Sequence, residues 1–299
     1  MKKVIFFTEN AWAFGSIHHS LSKLLYSHDI LADVLDWSIP YTIEEMNQIA
    51  ANYDYFVTVP MAVDALMSYG IPHAKMIVIA FGQWDILKAN EKFGTDIYDK
   101  FHSYAVVSEG LKTSSRESGI ARVPVVTPLG IIVDNFIRPV ASHLETLGYA
   151  SSISHENIDG IDIKRGHLVE TIAKETNTTL RMNQKFNYLG MPSFYKSVDA
   201  VIMTSIEESV GLPMMEAAAA GRLTLGTPVG YYEKNAIPSG GILLPLDAQE
   251  LTIKAIEQIE LYKNNPAKFQ KTCQKIQDYA RAHYDWSHHI NSWAKLLSN

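Results

Sequence analysis

One stretch constrains the fold more than any other: residues 200–221, AVIMTSIEESVGLPMMEAAAAG. Its first five residues form an apolar, partly β-branched run, the pattern of a buried strand in a parallel sheet. Residues 205–211 are polar and end on glycine, which predicts a loop. Pro213 stands where the first helical residue is favoured. Residues 214–220 are good helix formers, and Gly221 is a C-terminal stop. A strand, a loop and a helix in this order place the loop at the carboxyl edge of a sheet, where α/β folds bind ligands.

Two glutamates give the stretch its chemistry. Glu208 falls in the predicted loop, and Glu216 falls in the predicted first turn of the helix. Amide N–H groups near Gly211 and Leu212 would face whatever lies over the helix. A helix N-terminus carries roughly half a positive charge, which suits a diphosphate. A carboxylate beside it can accept hydrogen bonds from sugar hydroxyls. Alone, Glu216 could equally complement the helix dipole.

The string Glu208-Ser-Val-Gly-Leu-Pro-Met-Met-Glu216 resembles the E-x7-E signature of GT-B glycosyltransferases, chiefly the family-4 retaining enzymes. Glu208, Gly211, Leu212, Pro213, Glu216, Ala217, Ala219 and Gly221 match the usual EGFGLPxxEAMAxG, whereas Ser209, Val210 and Ala218 depart from it. The resemblance implies an α/β chain with the GT-B fold, two doubly wound Rossmann-like domains facing each other across a cleft. It implies that Glu216 holds the ribose of a sugar nucleotide and that Glu208 faces the donor sugar. The loop Ser209, Val210, Gly211 and Leu212 then meets the diphosphate.

The rest of the chain reads in the same frame. Its 299 residues suffice for two domains at about 100–200 residues each. A net charge of −6 argues against general nucleic-acid binding. The single cysteine, Cys273, excludes an intramolecular disulfide and a cysteine-based zinc site and suits a reducing compartment. No run approaches the roughly 18 apolar residues of a membrane span. The apolar start at residues 3–8 is too short for a signal peptide and is broken by Glu9, so it is a predicted first strand. Residues 9–15 then form a predicted loop, with Ser16 capping a helix. Further strands are expected at residues 31–36, 55–59, 75–81 and 103–107 of a first domain, and at 144–150, 186–190, 200–204, 223–226 and 241–244 of a second. His18 and His19 either face the ligand or lie at a solvated helix start, with no acidic or cysteine neighbour at metal-ligand spacing.

By resemblance, Gly15 carries the first loop toward the donor phosphates. Where relatives end the fourth strand with a sugar-contacting histidine, this chain has Gly82 and Gln83; Gln83 or Asp85 could substitute, or Asp85 could cap the next helix. Where relatives have Gly-Arg on the diphosphate, this chain has Gly148 and Tyr149. Lys164 and Arg165, ahead of Gly166, resemble the family's phosphate-binding lysine, and guanidinium binds phosphate oxygens bidentately. The nucleobase contact falls near Gly190 and Met191. Gly230 lets the chain approach closely at a turn before Glu233. Arg138 and Pro139 close the first domain, the second runs over residues 139–283, and residues 284–299 cross back with Trp286 and Trp293 as packing anchors.

The implied reaction moves a hexose from a nucleoside diphosphate sugar to a glycan, a lipid-linked or another hydroxyl acceptor, with retention. No DxD motif stands out to hold a metal, so none is expected, and the sugar nucleotide is a co-substrate rather than a cofactor. A cytoplasmic protein is expected, with peripheral contact at the inner face of a membrane left open, as is the oligomeric state. The rival is a GT-B-shaped binding or partner subunit with little or no transferase activity.

Overall fold

The computed structural model describes residues 1–10, 13–151, 160–183, 187–208, 210–230 and 238–298. Ser209, Glu233, Phe186 and most of the polar stretch before Asp162 lie outside the described residues. The chain divides into two compact units, one of residues 1–130 and 286–299 and one of residues 131–285.

The first unit carries β1 (Lys2–Thr8), β2 (Ile30–Asp36), β3 (Tyr55–Thr58), β4 (Met76–Ala80), β5 (Ser103–Val106) and β6 (Val125–Val126). All pair in parallel, in the order β2-β1-β3-β4-β5-β6. β4 is central, and each of its five residues is buried, as a strand covered on both faces requires. The crossovers are α1 (Ala13–Leu25), α2 (Ile43–Asn52), α3 (Val63–Ser68), α4 (Gln83–Phe93), α5 (Ile97–Lys100) and α6 (Glu109–Glu117). Thr42 and Glu45 close a reciprocal capping box on α2, and Ser108 caps α6 by accepting from Leu111 N at 3.1 Å.

The second unit carries β7 (Thr146–Tyr149), β8 (Thr179–Met182), β9 (Ala200–Met203), β10 (Leu223–Gly226) and β11 (Ile242–Leu243). These are also parallel, in the order β11-β10-β9-β7-β8. Between them run α7 (Gly166–Glu175), α8 (Met191–Lys196), α9 (Leu212–Ala219), α10 (Ala248–Lys263) and α11 (Pro266–His283). The last helix, α12 (Ile290–Ser298), packs on α1, β1 and β2 of the first unit. Trp286 and Trp293 are buried there, and Trp293 Nε1 donates to Pro128 O at 2.9 Å. The chain passes between units at Gly130, where a Cβ would come within 2.8 Å of the Trp286 backbone.

Four local expectations need correction. α1 begins at Ala13, so Gly15 is a buried residue inside the helix rather than a loop residue, and Ser16 is no cap. His18 is buried in that helix instead of facing solvent. The strand expected at residues 186–190 is, over its described part, a 3-10 turn, Tyr188–Gly190. The strand of this region is β8, an edge strand of alternating exposed and half-buried residues. Glu216 lies in the second turn of α9, because the helix starts at Leu212, one residue before the proline.

Candidate functional site

In each sheet the strand order reverses beside its first strand, between β1 and β3 and between β7 and β9. Such a switch point opens a crevice at the carboxyl ends of the strands. In the second unit, the crevice is bordered by the segments leading into α7 and α9.

The segment before α7 is folded by Asp162. Its Oδ1 accepts from Lys164 N at 3.1 Å and Arg165 N at 2.9 Å, an Asx turn. Arg165 takes a left-handed backbone (φ 49°) as N-cap of α7. The residue is 9% exposed, and its guanidinium bridges the segments after β9 and β11: Nε donates to Thr204 O at 2.6 Å and Nη1 to Leu246 O at 2.5 Å. Nη2 is buried with no hydrogen-bond partner among the described residues. Burial lowers the pKa of this arginine, with Asp162 and Asp247 opposing the shift. An orphaned charged donor in a buried position is costly and fits an anion.

Lys164 and Glu208 form an ion pair, Nζ to Oε1, and the same oxygen accepts from Ser205 Oγ at 2.7 Å. The lysine is further fixed through its carbonyl, which accepts from Thr204 Oγ1 at 2.7 Å and Tyr149 OH at 3.1 Å. Tyr149, where the resemblance would place an arginine, is thus a buried support for the lysine backbone. Its hydroxyl is pushed up to about 12 by burial.

Gly211 holds φ +72° at the N-cap of α9, and Val210, Gly211 and Leu212 are buried. Among the described residues no acceptor takes the amide N–H of Gly211 or Leu212. Gly230 (φ +59°) lies against this loop: a Cβ there would meet Val210 O at 2.7 Å, so the close approach requires glycine. Glu216 is 4% exposed, and its Oε2 accepts from Tyr195 OH at 2.8 Å. Burial pushes its carboxyl up to about 8, with the tyrosine hydroxyl pulling the other way. Gly190 closes the 3-10 turn ahead of α8; Met191, the first residue of that helix, is buried and its sulfur accepts from Asn183 Nδ2 at 2.9 Å.

The remaining sequence-derived residues are in the first unit. Gln83 is the exposed first residue of α4. Asp85 does what a cap does, accepting from Phe81 N and Gly82 N at 3.0 Å each. Gly15 lies within α1, next to an aromatic cluster around His18. Lys164, Arg165 and Glu208 are joined by hydrogen bonds at one sheet edge, with Gly211 and Glu216 on the adjoining α9. Asp162, Thr204 and Ser205 belong to the same network and were not singled out from sequence, although an aspartate two and three residues ahead of the basic pair signals an Asx turn. Tyr195 carried no local signal.

Among the described residues, no three His, Cys, Asp or Glu side chains come together to hold a metal ion, and no helix is long and apolar enough to cross a membrane. Cys273 is buried on α11 and pushed up to about 12, mainly by burial.

No family model matches the chain, and no curated protein matches it by sequence. Solved structures do. A sucrose-phosphate synthase from Thermosynechococcus elongatus superposes with a TM-score of 0.72 at 13% identity, covering 100% of this chain and 98% of that one. HepE of Anabaena, in complex with UDP and glucose, gives 0.69 at 15% identity and full coverage of both chains. A glycosyltransferase from Rickettsia africae gives 0.65 at 17% identity, covering 99% and 98%. At such identities the likeness speaks for the fold: this chain has the GT-B fold, built from two parallel-sheet α/β units.

Proposed function

We propose that the chain is a glycosyltransferase that moves a hexose from a nucleoside diphosphate sugar to an acceptor hydroxyl on a glycan, a lipid-linked sugar or another alcohol. The observation that carries this reading is the second unit's sheet edge. There Arg165 with an Nη2 that has no partner among the described residues, Lys164, and the Gly211 and Leu212 amides, for which the described residues supply no acceptor, adjoin two carboxylates. The E-x7-E resemblance assigns the same residues to a sugar nucleotide.

The chemistry follows from charge. Breaking the bond to the anomeric carbon leaves negative charge on the diphosphate. Two helix starts, each with roughly half a positive charge, and two basic side chains stabilise that charge without a metal. Lys164 is held by Glu208. An incoming phosphate offers the ammonium a second anion, and Glu208 is then released to accept hydrogen bonds from the sugar. Glu216 accepts from the ribose. Retention at the anomeric carbon belongs to the reading through the resemblance.

Sugar nucleotides should be turned over slowly by water or transferred to added glycans, with EDTA leaving the rate unchanged and the product's anomeric configuration the same as the donor's by NMR. Loss of activity in EDTA, or inversion, would overturn those parts of the reading. The second reading, a binding subunit of the same shape, is favoured by one observation: Tyr149 replaces a phosphate-binding arginine and is used structurally. Tight nucleotide binding with neither hydrolysis nor transfer would decide for it.

A further inference from the structure

Glu216 is a buried carboxylate with one hydrogen bond. No cation pairs with it among the described residues, and Tyr195 OH is the one donor it has. Burying such a group is unfavourable unless its remaining lone pairs are used. Tyr195 is itself fully buried and held on several sides. Its ring packs edge-on against Phe136 at 5.9 Å and Phe194 at 5.2 Å. Its carbonyl accepts from Arg222 Nε at 2.8 Å, and the same guanidinium donates through Nη1 to Pro139 O at 3.2 Å. The hydroxyl therefore stands at a fixed point, and the flexible glutamate is the partner that adapts to it.

We infer that Tyr195 is a positioning residue: by occupying Oε2 of Glu216 it fixes the carboxylate plane and leaves Oε1 to accept from a ribose hydroxyl, so that the chain selects ribonucleotides over deoxyribonucleotides. This rests on the donor site proposed above. A hydroxyl aimed at one oxygen turns a freely rotating carboxyl into an oriented acceptor. That matters for a ribose, whose hydroxyls are donors at defined places, and not for a phosphate, which offers none.

The test is a binding cycle by calorimetry with UDP, GDP and ADP, each beside its 2′-deoxy and 3′-deoxy counterparts. The wild-type chain should prefer at least one ribonucleotide over a deoxy counterpart by about tenfold, the worth of one good hydrogen bond. Tyr195→Phe keeps the ring and should erase most of that preference, weakening the ribonucleotide while leaving the deoxynucleotide near its former affinity. Glu216→Gln should erase it too, and adding Tyr195→Phe to Glu216→Gln should change little more. Melting curves of the unbound variants establish that each is folded. An equal loss for ribo- and deoxynucleotides in Tyr195→Phe means a structural role only and overturns the inference. A preference abolished by Glu216→Gln but untouched by Tyr195→Phe also overturns it, with the donor site standing. Absence of binding by any of the diphosphates to the wild-type chain sinks the donor site itself.

Discussion

The carboxyl edges of the two sheets share a topology and differ in what the sequence puts there. At the second unit's edge, charged groups are joined: Asp162 orders Lys164 and Arg165, and Lys164 meets Glu208, while on the adjoining α9 Glu216 pairs with Tyr195. Near the first unit's edge the side chains are aromatic. Phe14 and Phe81 meet at 5.0 Å, Phe14 and Trp37 at 6.1 Å, and His18 stacks on Phe6 at 4.6 Å. Two acids there serve the backbone: Asp85 accepts from the amides of Phe81 and Gly82, and Asp36 from that of Ser38. A switch point gives a chain a crevice, and side chains decide whether it can hold an anion. In the first unit the aromatic cluster is built for packing, with the neutral ring of His18 packed into it and its Nδ1 left without a partner among the described residues; in the second, packing is interrupted by a charged donor, Arg165 Nη2, that lacks one.

The largest expected effect separates the two edges by stability. Phe81 is 3% exposed, so Phe81→Ala should cost about 3–5 kcal/mol in urea unfolding while leaving nucleotide affinity unchanged once folded. An equal fall in affinity would place the nucleotide at the first unit and break the contrast.

Next come opposite pH dependences. His18 is lowered from 6.5 to about 3, chiefly by burial and further by His19. The unfolded chain then binds the extra proton, so this site loses stability as pH falls from 6.5 toward 3. Glu216 is raised from 4.5 to about 8 by burial. Here the folded chain holds the extra proton, and stability is lost as pH rises from 4.5 through 8. Each is of the order of a few kcal/mol, at about 1.4 kcal/mol per unit. In unfolding measured across pH, His18→Phe should flatten the acid limb and Glu216→Gln the limb from 4.5 to 8. Unchanged slopes in both variants would mean that neither group is buried as described.

Arg165→Ala should weaken a nucleoside diphosphate by about 1.5–3 kcal/mol and leave the parent nucleoside unchanged in calorimetry. Equal losses would show that the guanidinium serves the backbone carbonyls of Thr204 and Leu246 and no phosphate. The smallest binding effect belongs to Glu208→Gln. Freeing Lys164 from its partner should leave diphosphate affinity intact or tighten it by up to about 1 kcal/mol, while donor turnover falls, because sugar contacts that strengthen with developing charge act in the transition state. A large loss of diphosphate binding would reverse the roles of the two glutamates.

The two edges also differ in how far they were legible. β9, its loop and α9 are contiguous, and a strand run, a glycine with left-handed φ and a proline at a helix start are local signals; Ala200 to Gly221 could be read directly. Gly230 was legible for the same reason. The aromatic cluster draws Phe6, Phe14, His18, Trp37 and Phe81 from four separate segments, so no window shows it, and His18 reads as an ordinary polar residue. Tyr195 escaped likewise: nothing within α8 announces that its hydroxyl meets a carboxylate 21 positions on. β8 was missed because an edge strand half open to water lacks an apolar run.

The central claim is that the second unit's edge, and not the first's, takes the nucleoside diphosphate. Amide hydrogen exchange with and without saturating UDP, GDP or ADP tests it most directly, because protection reports where a ligand closes the backbone to solvent. The account expects protection in residues 162–166 and 210–216, including the amides of Gly211 and Leu212, with residues 13–18 and 81–86 unchanged. Protection confined to the first unit's segments, or none with any of the three ligands, would contradict it.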